Sequence, residues 1–367
     1  MSKSAISKPT ILIAPLNWGL GHASRCIPII KSLIANETTV IVACGDSQKH
    51  LLQAEFPSLR YIDLPGYDLK YGQNKGLTLL KIIYQIPKIL IRIKSENRWL
   101  SGLVAKERID AVISDNRYGL FSSAVYCVFI THQLRIKVPF GKKIENMIQR
   151  ISYQYINKFS ECWVPDFEKS PSLAGDLSHP GKPMETHLRY IGFLSRFERR
   201  ADKAVENGLL IMLSGPEPQR TILEQILFAQ LKSYPGKVNF LRGTPAKKEK
   251  PAIGSNISVY HHLPTSELNE IINESEFIIC RSGYSSIMDV VKLEKKSIVI
   301  PTPGQTEQEY LADYLSGKKI VFSVSQKNFM LSDALEKAKK FSFEKFENIE
   351  DSLMEKAVED LVKRIRK

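Results

Sequence analysis

The chain of 367 residues alternates short apolar runs with longer amphipathic stretches, and the second half repeats the pattern of the first. Apolar runs of strand length predict buried strands, and apolar positions at three- and four-residue spacing predict helices. Alternating strands and helices with short connections are typical of parallel sheets that helices cover on both faces. The sequence therefore predicts an α/β protein with two Rossmann-like, doubly wound parallel-sheet domains that face a central cleft.

The predicted strands fall into two series of six. The first series comprises residues 10–15, 39–43, 59–62, 111–114, 125–131 and 161–164. The second comprises residues 208–213, 238–241, 257–260, 277–279, 297–300 and 320–322. Helical periodicity predicts helices at residues 25–35, 77–106, 145–158, 219–233, 265–274, 285–293 and 307–316.

A segment rich in proline, glycine and charge separates the two series, at residues 178–207. Such a composition is typical of a connection between domains. We therefore expect an N-terminal domain over residues 1–195 and a C-terminal domain over residues 196–342. Residues 343–367 have the pattern of an amphipathic helical tail.

The richest motif lies where a predicted strand of the second series ends. The strand breaks at Ser282-Gly283, and a helical pattern with Ser285, Ser286 and Asp289 begins at once. Free N–H groups and the positive end of the helix dipole favour a phosphate there, and Asp289 is placed to accept from ribose hydroxyls. An ordinary capped helix packed on a sheet is the alternative interpretation.

A second loop of the same half carries amide and carboxylate side chains. It follows the strand predicted at residues 297–300 and leads through Gln308 and Glu309 into a polar helix. These side chains are suited to bind sugar hydroxyls. The alternative is a solvated helix start, because acidic residues stabilise a first turn.

In the first half, the loop after the first strand contains Gly19, Gly21 and His22. A histidine at the mouth of a parallel sheet is a candidate general base, because its pKa lies near neutral pH. Asp115 also follows a strand and would hold His22 in the required tautomer. A histidine that caps its helix and an aspartate at a helix N-cap are the alternatives.

Together these motifs resemble the MurG-type glycosyltransferases, which have the GT-B fold and make lipid-linked N-acetylglucosamine intermediates. The resemblance covers nearly the whole chain and is most specific in Cys280-Arg281-Ser282-Gly283 and the loop that follows. By this resemblance the C-terminal domain binds the nucleotide sugar and the N-terminal domain binds the acceptor. The implied donor-binding residues are Arg196, Ser214, Gly215, Leu263, Arg281, Ser282, Gly283, Ser285, Ser286, Asp289, Gln308 and Glu309, and the implied acceptor-side residues are Gly19, Gly21, His132 and Gln133.

The resemblance implies an inverting, metal-independent transferase that moves a sugar from a nucleotide donor, UDP above all, to a hydroxyl acceptor. His22 would be the base and Asp115 its partner. No Asp-x-Asp pair or metal-ligand spacing occurs, so neither a metal nor a cofactor is expected. The alternatives are a nucleotide-sugar hydrolase, since the Gly-x-Gly-His-x-x-Arg-Cys run resembles the hydrolase of pseudaminic acid synthesis, an epimerase of the same fold, and a non-catalytic nucleotide-sugar-binding protein.

Charge and cysteine content bear on partners and location. Residues 1–196 hold 26 Lys and Arg against 15 Asp and Glu, whereas residues 197–367 hold 26 against 24. The apolar and basic residues 79–94 suit either a helix on an anionic membrane, near a lipid-linked acceptor, or a core helix kinked at Pro87. No nucleic-acid-binding motif, signal peptide or paired cysteine spacing is present. We therefore expect a cytoplasmic protein, peripheral at the inner membrane face, with no nucleic-acid partner.

Overall fold

The computed structural model describes residues 8–67, 75–138, 141–200, 205–244, 254–347, 350 and 352–366. It confirms an α/β protein with two parallel sheets. Alternate residues of the first strand show why its positions from Ile11 onward are apolar. Ile11 and Ile13 pack into one buried cluster, whereas Leu12 and Ala14 pack into another. Both faces of the sheet are therefore covered, and residues 11–15 are all apolar.

The first sheet has seven parallel strands in the order β3-β2-β1-β4-β5-β6-β7. Its strands are β1 (Thr10–Pro15), β2 (Thr39–Cys44), β3 (Arg60–Asp63), β4 (Ala111–Asp115), β5 (Tyr126–Ile130), β6 (Glu161–Val164) and β7 (His187–Tyr190). The second sheet has six parallel strands in the order β10-β9-β8-β11-β12-β13. Its strands are β8 (Val205–Met212), β9 (Val238–Leu241), β10 (Ile257–Tyr260), β11 (Ser275–Cys280), β12 (Lys296–Val299) and β13 (Phe322–Ser323).

The helices alternate with these strands, as the hydrophobic pattern predicts. Those of the first half are α1 (Leu20–Ala35), α2 (Asp46–Glu55), α3 (Lys75–Glu107) and α4 (Lys142–Ile156). Those of the second half are α5 (Gln219–Leu231), α6 (Thr265–Glu274), α7 (Tyr284–Lys292), α8 (Thr306–Gly317), α9 (Leu331–Lys340) and α10 (Leu353–Ile365). Within the described residues, no helix is long and apolar enough to cross a membrane.

Several elements differ from the predictions. Helix α1 begins at Leu20 rather than residue 25, directly after Gly19, whose φ of 76° ends the preceding loop. Strand β7 and helices α2 and α9 were not predicted. β7 is a half-exposed edge strand without an apolar run, and α2 is largely polar. Strand β13 begins at Phe322, two residues later than predicted.

The two halves share one apolar cluster. The chain passes from the first sheet to the second between Tyr190 and Val205, and α10 returns to pack on α1. Ala357 and Leu361 of α10 join the same buried cluster as Ile27 of α1 and Ile287 of α7. This packing holds the first turns of α1 and α7 close together.

Candidate active site

The candidate site lies where the carboxyl edges of the two sheets meet. The first turn of α1, after β1, contacts the first turn of α7, after β11. The Ser285 hydroxyl donates to the Gly21 carbonyl oxygen over 3.1 Å. A Cβ atom on Gly21 would lie 3.0 Å from that hydroxyl oxygen, so glycine permits this approach.

The predicted pair of His22 and Asp115 is brought together. The Nδ1 atom of His22 lies 3.0 Å from Oδ2 of Asp115, which is fully buried at the end of β4. The His22 side chain keeps 15% of its surface exposed, which leaves it within reach of a substrate. The pair thus has the arrangement of a general base and the carboxylate that orients it.

The electrostatics of this pair favour a neutral imidazole beside an ionised carboxylate. Burial lowers the pKa of His22, and the charge of Arg25 acts in the same direction against the raising effect of Asp115. Although burial alone would raise it, Arg25 and His22 bring the pKa of Asp115 down to about 2. His22 is therefore unprotonated and able to accept a proton at neutral pH.

Arg25 belongs to this site and was not predicted. Its guanidinium is buried and forms an ion pair with Asp115, and its Nη2 atom lies 2.9 Å from Nδ1 of His22. Its position three residues after His22 could have identified it, because residues i and i+3 of a helix lie on one face. His22 and Arg25 are such a pair in α1.

His132 of the acceptor side pairs with a residue of the other half. Its Nε2 atom lies 2.7 Å from Oε1 of Glu307, and its ring stacks on Tyr284 with centroids 3.9 Å apart. Burial would raise the pKa of Glu307, but His132, His22 and Arg25 bring it below its usual value. Glu307 and Tyr284 were not predicted, since only the tertiary structure brings them to His132.

Gly19 and Gln133 border this cluster. Gly19 precedes α1 and accepts from the Gln48 side chain at 3.3 Å, while the Gln133 backbone N–H donates to the Thr131 hydroxyl at 3.1 Å. The Gln133 side chain is half-buried. Both residues therefore lie on the loops that the sequence analysis assigns to the acceptor.

Asp289 lies on α7 with its carboxylate toward the chain segment that joins the two sheets. Ser195 donates to Oδ1 of Asp289 over 2.6 Å, and burial raises the pKa of Asp289 to about 6. Gly283 precedes α7, and Ser286 is half-buried in its first turn. The first turn of α7 thus carries Ser285 and Ser286, and Asp289 follows in the second turn.

Arg196 is held between the two halves. Its Nη1 atom donates to the Thr265 hydroxyl at 2.9 Å and lies 3.6 Å from Oε1 of Glu55 on α2. Its Nε atom is buried without a hydrogen-bond partner. Leu263, just before α6, is a buried core residue. By the resemblance, it is the backbone of Leu263 that contacts the base of the donor, and a buried side chain is compatible with such a contact.

Arg281 is placed differently from the prediction. Its fully buried guanidinium donates to the carbonyl oxygens of Ile300, Pro301 and Gln219 at 3.2, 3.3 and 2.8 Å. Burial lowers the pKa of Arg281 to about 10. The side chain therefore braces two segments, residues 300–301 and the start of α5, and has no exposed surface with which to make the predicted donor contact.

The side chains of Ser282 and Gln308 are also hydrogen-bonded to other residues of the protein. The buried Ser282 hydroxyl donates to the Gln308 carbonyl oxygen at 2.8 Å, and the Gln308 amide bonds Thr302 N–H at 2.9 Å and Gln305 at 2.6 Å. Glu309 accepts from the Gly304 N–H at 3.1 Å. These contacts shape the loop after β12.

Ser214 and Gly215 follow β8 at the same edge. Gly215 is exposed with a φ of 99°, a conformation that favours glycine, and Ser214 is half-buried. Among the described residues, no group of three or more His, Cys, Asp or Glu side chains could hold a metal ion.

Comparison with known proteins bears on the fold and on the type of activity. Residues 219–365 match the model of the glycosyltransferase family 28 C-terminal domain. The UDP-N-acetylglucosamine–N-acetylmuramyl-(pentapeptide) pyrophosphoryl-undecaprenol N-acetylglucosamine transferase of Haemophilus ducreyi is 21% identical over 323 residues, which are 86% of this chain and 85% of that protein.

Solved structures show the same fold over the whole length. The glycotransferase of kitacinnamycin superposes with a TM-score of 0.62 at 13% identity, over 98% of this chain and 96% of that chain. MurG of Acinetobacter baumannii superposes with a TM-score of 0.51 at 13% identity, over 98% and 95%. The chain is thus a glycosyltransferase with the GT-B fold, similar to the MurG type.

Proposed function

We propose that this glycosyltransferase moves N-acetylglucosamine from a UDP donor, bound by the C-terminal half, to a hydroxyl of a lipid-linked acceptor, bound by the N-terminal half. The observation that carries the proposal is the His22–Asp115 pair beside the first turn of α7, where Ser285 lies 3.1 Å from the Gly21 carbonyl oxygen. A base from one half thus adjoins a predicted phosphate site of the other. The sugar and the lipid are those in the name of the similar transferase of Haemophilus ducreyi.

In the proposed reaction the acceptor oxygen attacks the anomeric carbon from the face opposite the diphosphate. A new carbon–oxygen bond forms while the bond from the anomeric carbon to the phosphate oxygen breaks, so the configuration inverts. UDP leaves with the bonding electrons, and Nε2 of His22 takes the proton of the acceptor hydroxyl. The resulting imidazolium is stabilised by Asp115, which lies 3.0 Å from Nδ1.

In this proposal, hydrogen-bond donors take the place of a metal ion and stabilise the negative charge that develops on the leaving diphosphate. The N-terminus of α7 offers backbone N–H groups and the hydroxyl of Ser286, and Ser285 would exchange its bond to Gly21 for one to phosphate. Asp289 would accept from the ribose. Arg196 remains a phosphate ligand in this proposal. Its guanidinium would first have to break its hydrogen bond to the Thr265 hydroxyl.

A thermal-unfolding screen with nucleotide sugars tests the donor assignment. A ligand that binds only the native state stabilises it, by about 2.7 kcal/mol at 100 times its Kd. UDP-N-acetylglucosamine should raise the unfolding temperature more than GDP- or dTDP-sugars do. A protein stabilised by another nucleotide sugar, or by none, would overturn the donor assignment.

We expect transfer to proceed unchanged in EDTA, because helix α7 and neighbouring donors replace a metal ion at the diphosphate. The measurement is the rate of UDP release before and after chelation, with magnesium and manganese added back. Activity that disappears with EDTA and returns with either metal would contradict this account.

A basic and apolar patch supports the lipid-linked acceptor. Ile91 of α3 and Met147 and Ile151 of α4 are 68%, 54% and 43% exposed. The two helices adjoin, since Ile93 of α3 and Tyr155 of α4 join one apolar cluster. We define the membrane patch as these three exposed residues and the exposed cations around them, which are Lys88, Lys94, Lys142, Lys143 and Arg150. In the stretch 79–94 that was predicted to lie on a membrane, the side chains of residues 79–84 and 86 lie outside the described part.

The membrane patch should bind anionic vesicles, with each nearby cation contributing about 1 kcal/mol. We expect the protein to sediment with vesicles that contain phosphatidylserine and to dissociate as salt rises. Replacing Lys88, Lys94, Lys142 and Lys143 by Gln should weaken sedimentation without changing UDP-sugar affinity. The matched control replaces four exposed lysines of the other half: Lys318, Lys319, Lys337 and Lys340. Equal loss in both variants, or no binding by the wild type at low salt, argues for a water-soluble acceptor.

A further inference from the structure

We propose that Arg25 is a positioning residue that holds the Asp115 carboxylate against Nδ1 of His22 and so leaves Nε2 of His22 as the base. The inference rests on the proposed function of His22. It is carried by contacts within the first half of the chain, where a buried guanidinium lies between Asp115 and two histidines.

Both oxygens of the Asp115 carboxylate are engaged by Arg25. The Nε atom of Arg25 donates to Oδ2 over 2.9 Å, and its Nη2 atom donates to Oδ1. Arg25 is 2% exposed and Asp115 is fully buried. A bidentate pair of this kind fixes the plane of the carboxylate as well as its position. Oδ2 is thereby kept facing His22.

The same contacts decide between the two tautomers of His22. Its Nδ1 atom lies 3.0 Å from Oδ2 of Asp115 and 2.9 Å from Nη2 of Arg25. A guanidinium can only donate, so a bond from Arg25 would require the lone pair on Nδ1 and the proton on Nε2. That tautomer would place the Nδ1 lone pair against an ionised carboxylate, two acceptors in contact. We therefore assign the proton of His22 to Nδ1, which donates to Oδ2 of Asp115. Nη2 of Arg25 then donates to Oδ1 of Asp115 and not to His22.

Arg25 also reaches the second histidine. Its Nη1 atom lies 3.4 Å from Nδ1 of His132. Because Arg25 can only donate, Nδ1 of His132 is the acceptor, and Nε2–H of His132 donates to Glu307 over 2.7 Å. Arg25 thus sets the hydrogen-bond direction of His132 directly and that of His22 through Asp115, and it connects His22 to the C-terminal half.

In the part of the chain that the structure describes, the charged and titratable groups that face His22 belong to this cluster. Asp115 lies on β4, Arg25 and Cys26 on α1, and His132 follows β5, with the Cys26 thiol 4.0 Å from Asp115. Glu307 of α8 completes the set through His132. The positive charge of Arg25 lowers the pKa of His22, so its removal should raise that pKa.

The test combines nitrogen-15 NMR of labelled histidine with the pH profile of kcat, in the wild type, Arg25→Lys and Arg25→Gln. The wild type should show the Nδ1–H tautomer of His22. Arg25→Gln should raise the pKa of His22 and move the acidic limb of the profile to higher pH. Arg25→Lys keeps the charge but cannot engage both carboxylate oxygens and His132. It should lower kcat by on the order of 10²-fold with donor Kd unchanged, the usual cost of a small misplacement.

Arg117→Lys is the matched control. Arg117 is a buried arginine of the same half, paired with Glu96 at 2.7 Å, so its loss should reduce stability in the same way. It should leave the His22 signals of the folded protein unchanged.

Three results would overturn the role of Arg25: an Nε2–H tautomer of His22 in the wild type, an unshifted acidic limb in Arg25→Gln, or equal His22 shifts in Arg117→Lys. The wild-type spectrum can overturn the role even if the Arg25 variants do not fold. If the His22 signals behave as expected but no sugar is transferred, the proposed function fails and the positioning role stands.

Discussion

His22→Ala is expected to lower kcat by about 10²–10⁴-fold, which is the usual contribution of a positioned general base. Donor affinity should change little, because His22 lies in the acceptor half and contacts the nucleotide in no step of the proposed reaction. Steady-state kinetics together with calorimetric titration of UDP separate the two effects. His50→Ala, at an exposed histidine of α2 in the same half, is the matched control. A His22→Ala variant with near-normal kcat would remove the proposed base.

Asp115→Asn should act on the same step as His22→Ala. The amide still fits beside Nδ1 of His22, but it stabilises the imidazolium less and favours the wrong tautomer. The cost should be no larger than that of His22→Ala, and the double variant should be far from additive because the two residues act as a unit. Additive losses would show that they serve different steps. Thermal unfolding is needed as a control, since the variant leaves Arg25 buried without its carboxylate.

The pH profile gives an independent check on the base. Burial and Arg25 lower the pKa of His22 below its ordinary value. Since the base must be unprotonated, the rate should be constant at neutral pH and fall only as pH decreases through that lowered pKa. An acidic limb at or above the ordinary histidine pKa would contradict the assignment of His22.

Asp289→Ala is expected to weaken binding of UDP by about 10–100-fold. A hydrogen bond to a charged group contributes about 1.5–3 kcal/mol, and each 1.4 kcal/mol is a factor of ten. The fold should be retained, because the Asp289 side chain is half-buried and the Ser195 hydroxyl loses this one acceptor while it still accepts from the Phe197 N–H. Asp313→Ala, at an exposed carboxylate of α8, is the control. Unchanged UDP affinity in Asp289→Ala would exclude the ribose role.

The pH dependence of donor binding should follow the same carboxylate. Burial raises the pKa of Asp289 to about 6, so the group becomes neutral as pH falls below that value. A neutral carboxyl is a weaker acceptor for ribose hydroxyls, and UDP affinity should decrease over this range. In Asp289→Asn the affinity should be lower at neutral pH and should not change across pH 6. A decrease that persists in Asp289→Asn would belong to another group.

The hydrophobic pattern predicts this fold well where strands are buried on both faces. β1, β6 and β9 have the predicted bounds, because nearly all of their positions are buried. β10 also has the predicted bounds, although it is a partly exposed edge strand. The edge strand β7 was not predicted, because it lacks such a buried run. His187 is exposed and the next three residues are half-buried, so no apolar run distinguishes it from a loop.

The candidate site is predictable only as far as it depends on strand ends. His22 and Asp115 could be placed together because parallel strands end at one edge of their sheet. Arg25 could also have been predicted, because it lies three residues after His22 on the same face of α1. The burial of Arg281 could not be predicted, since it depends on carbonyl oxygens from two separate loop segments. The contact of His132 with Glu307 likewise depends on how the two halves pack.

The central claim is transfer from a nucleotide sugar, and the release of UDP from UDP-N-acetylglucosamine tests it most directly. The protein is incubated with the labelled donor, with and without a membrane-lipid extract, and both UDP and the labelled sugar are followed. We predict that UDP appears only when lipid is present, with one sugar incorporated into the lipid fraction for each UDP released. Free N-acetylglucosamine released at the same rate without lipid would show a hydrolase, and donor binding without any UDP release would show a binding protein. Either result would contradict the account.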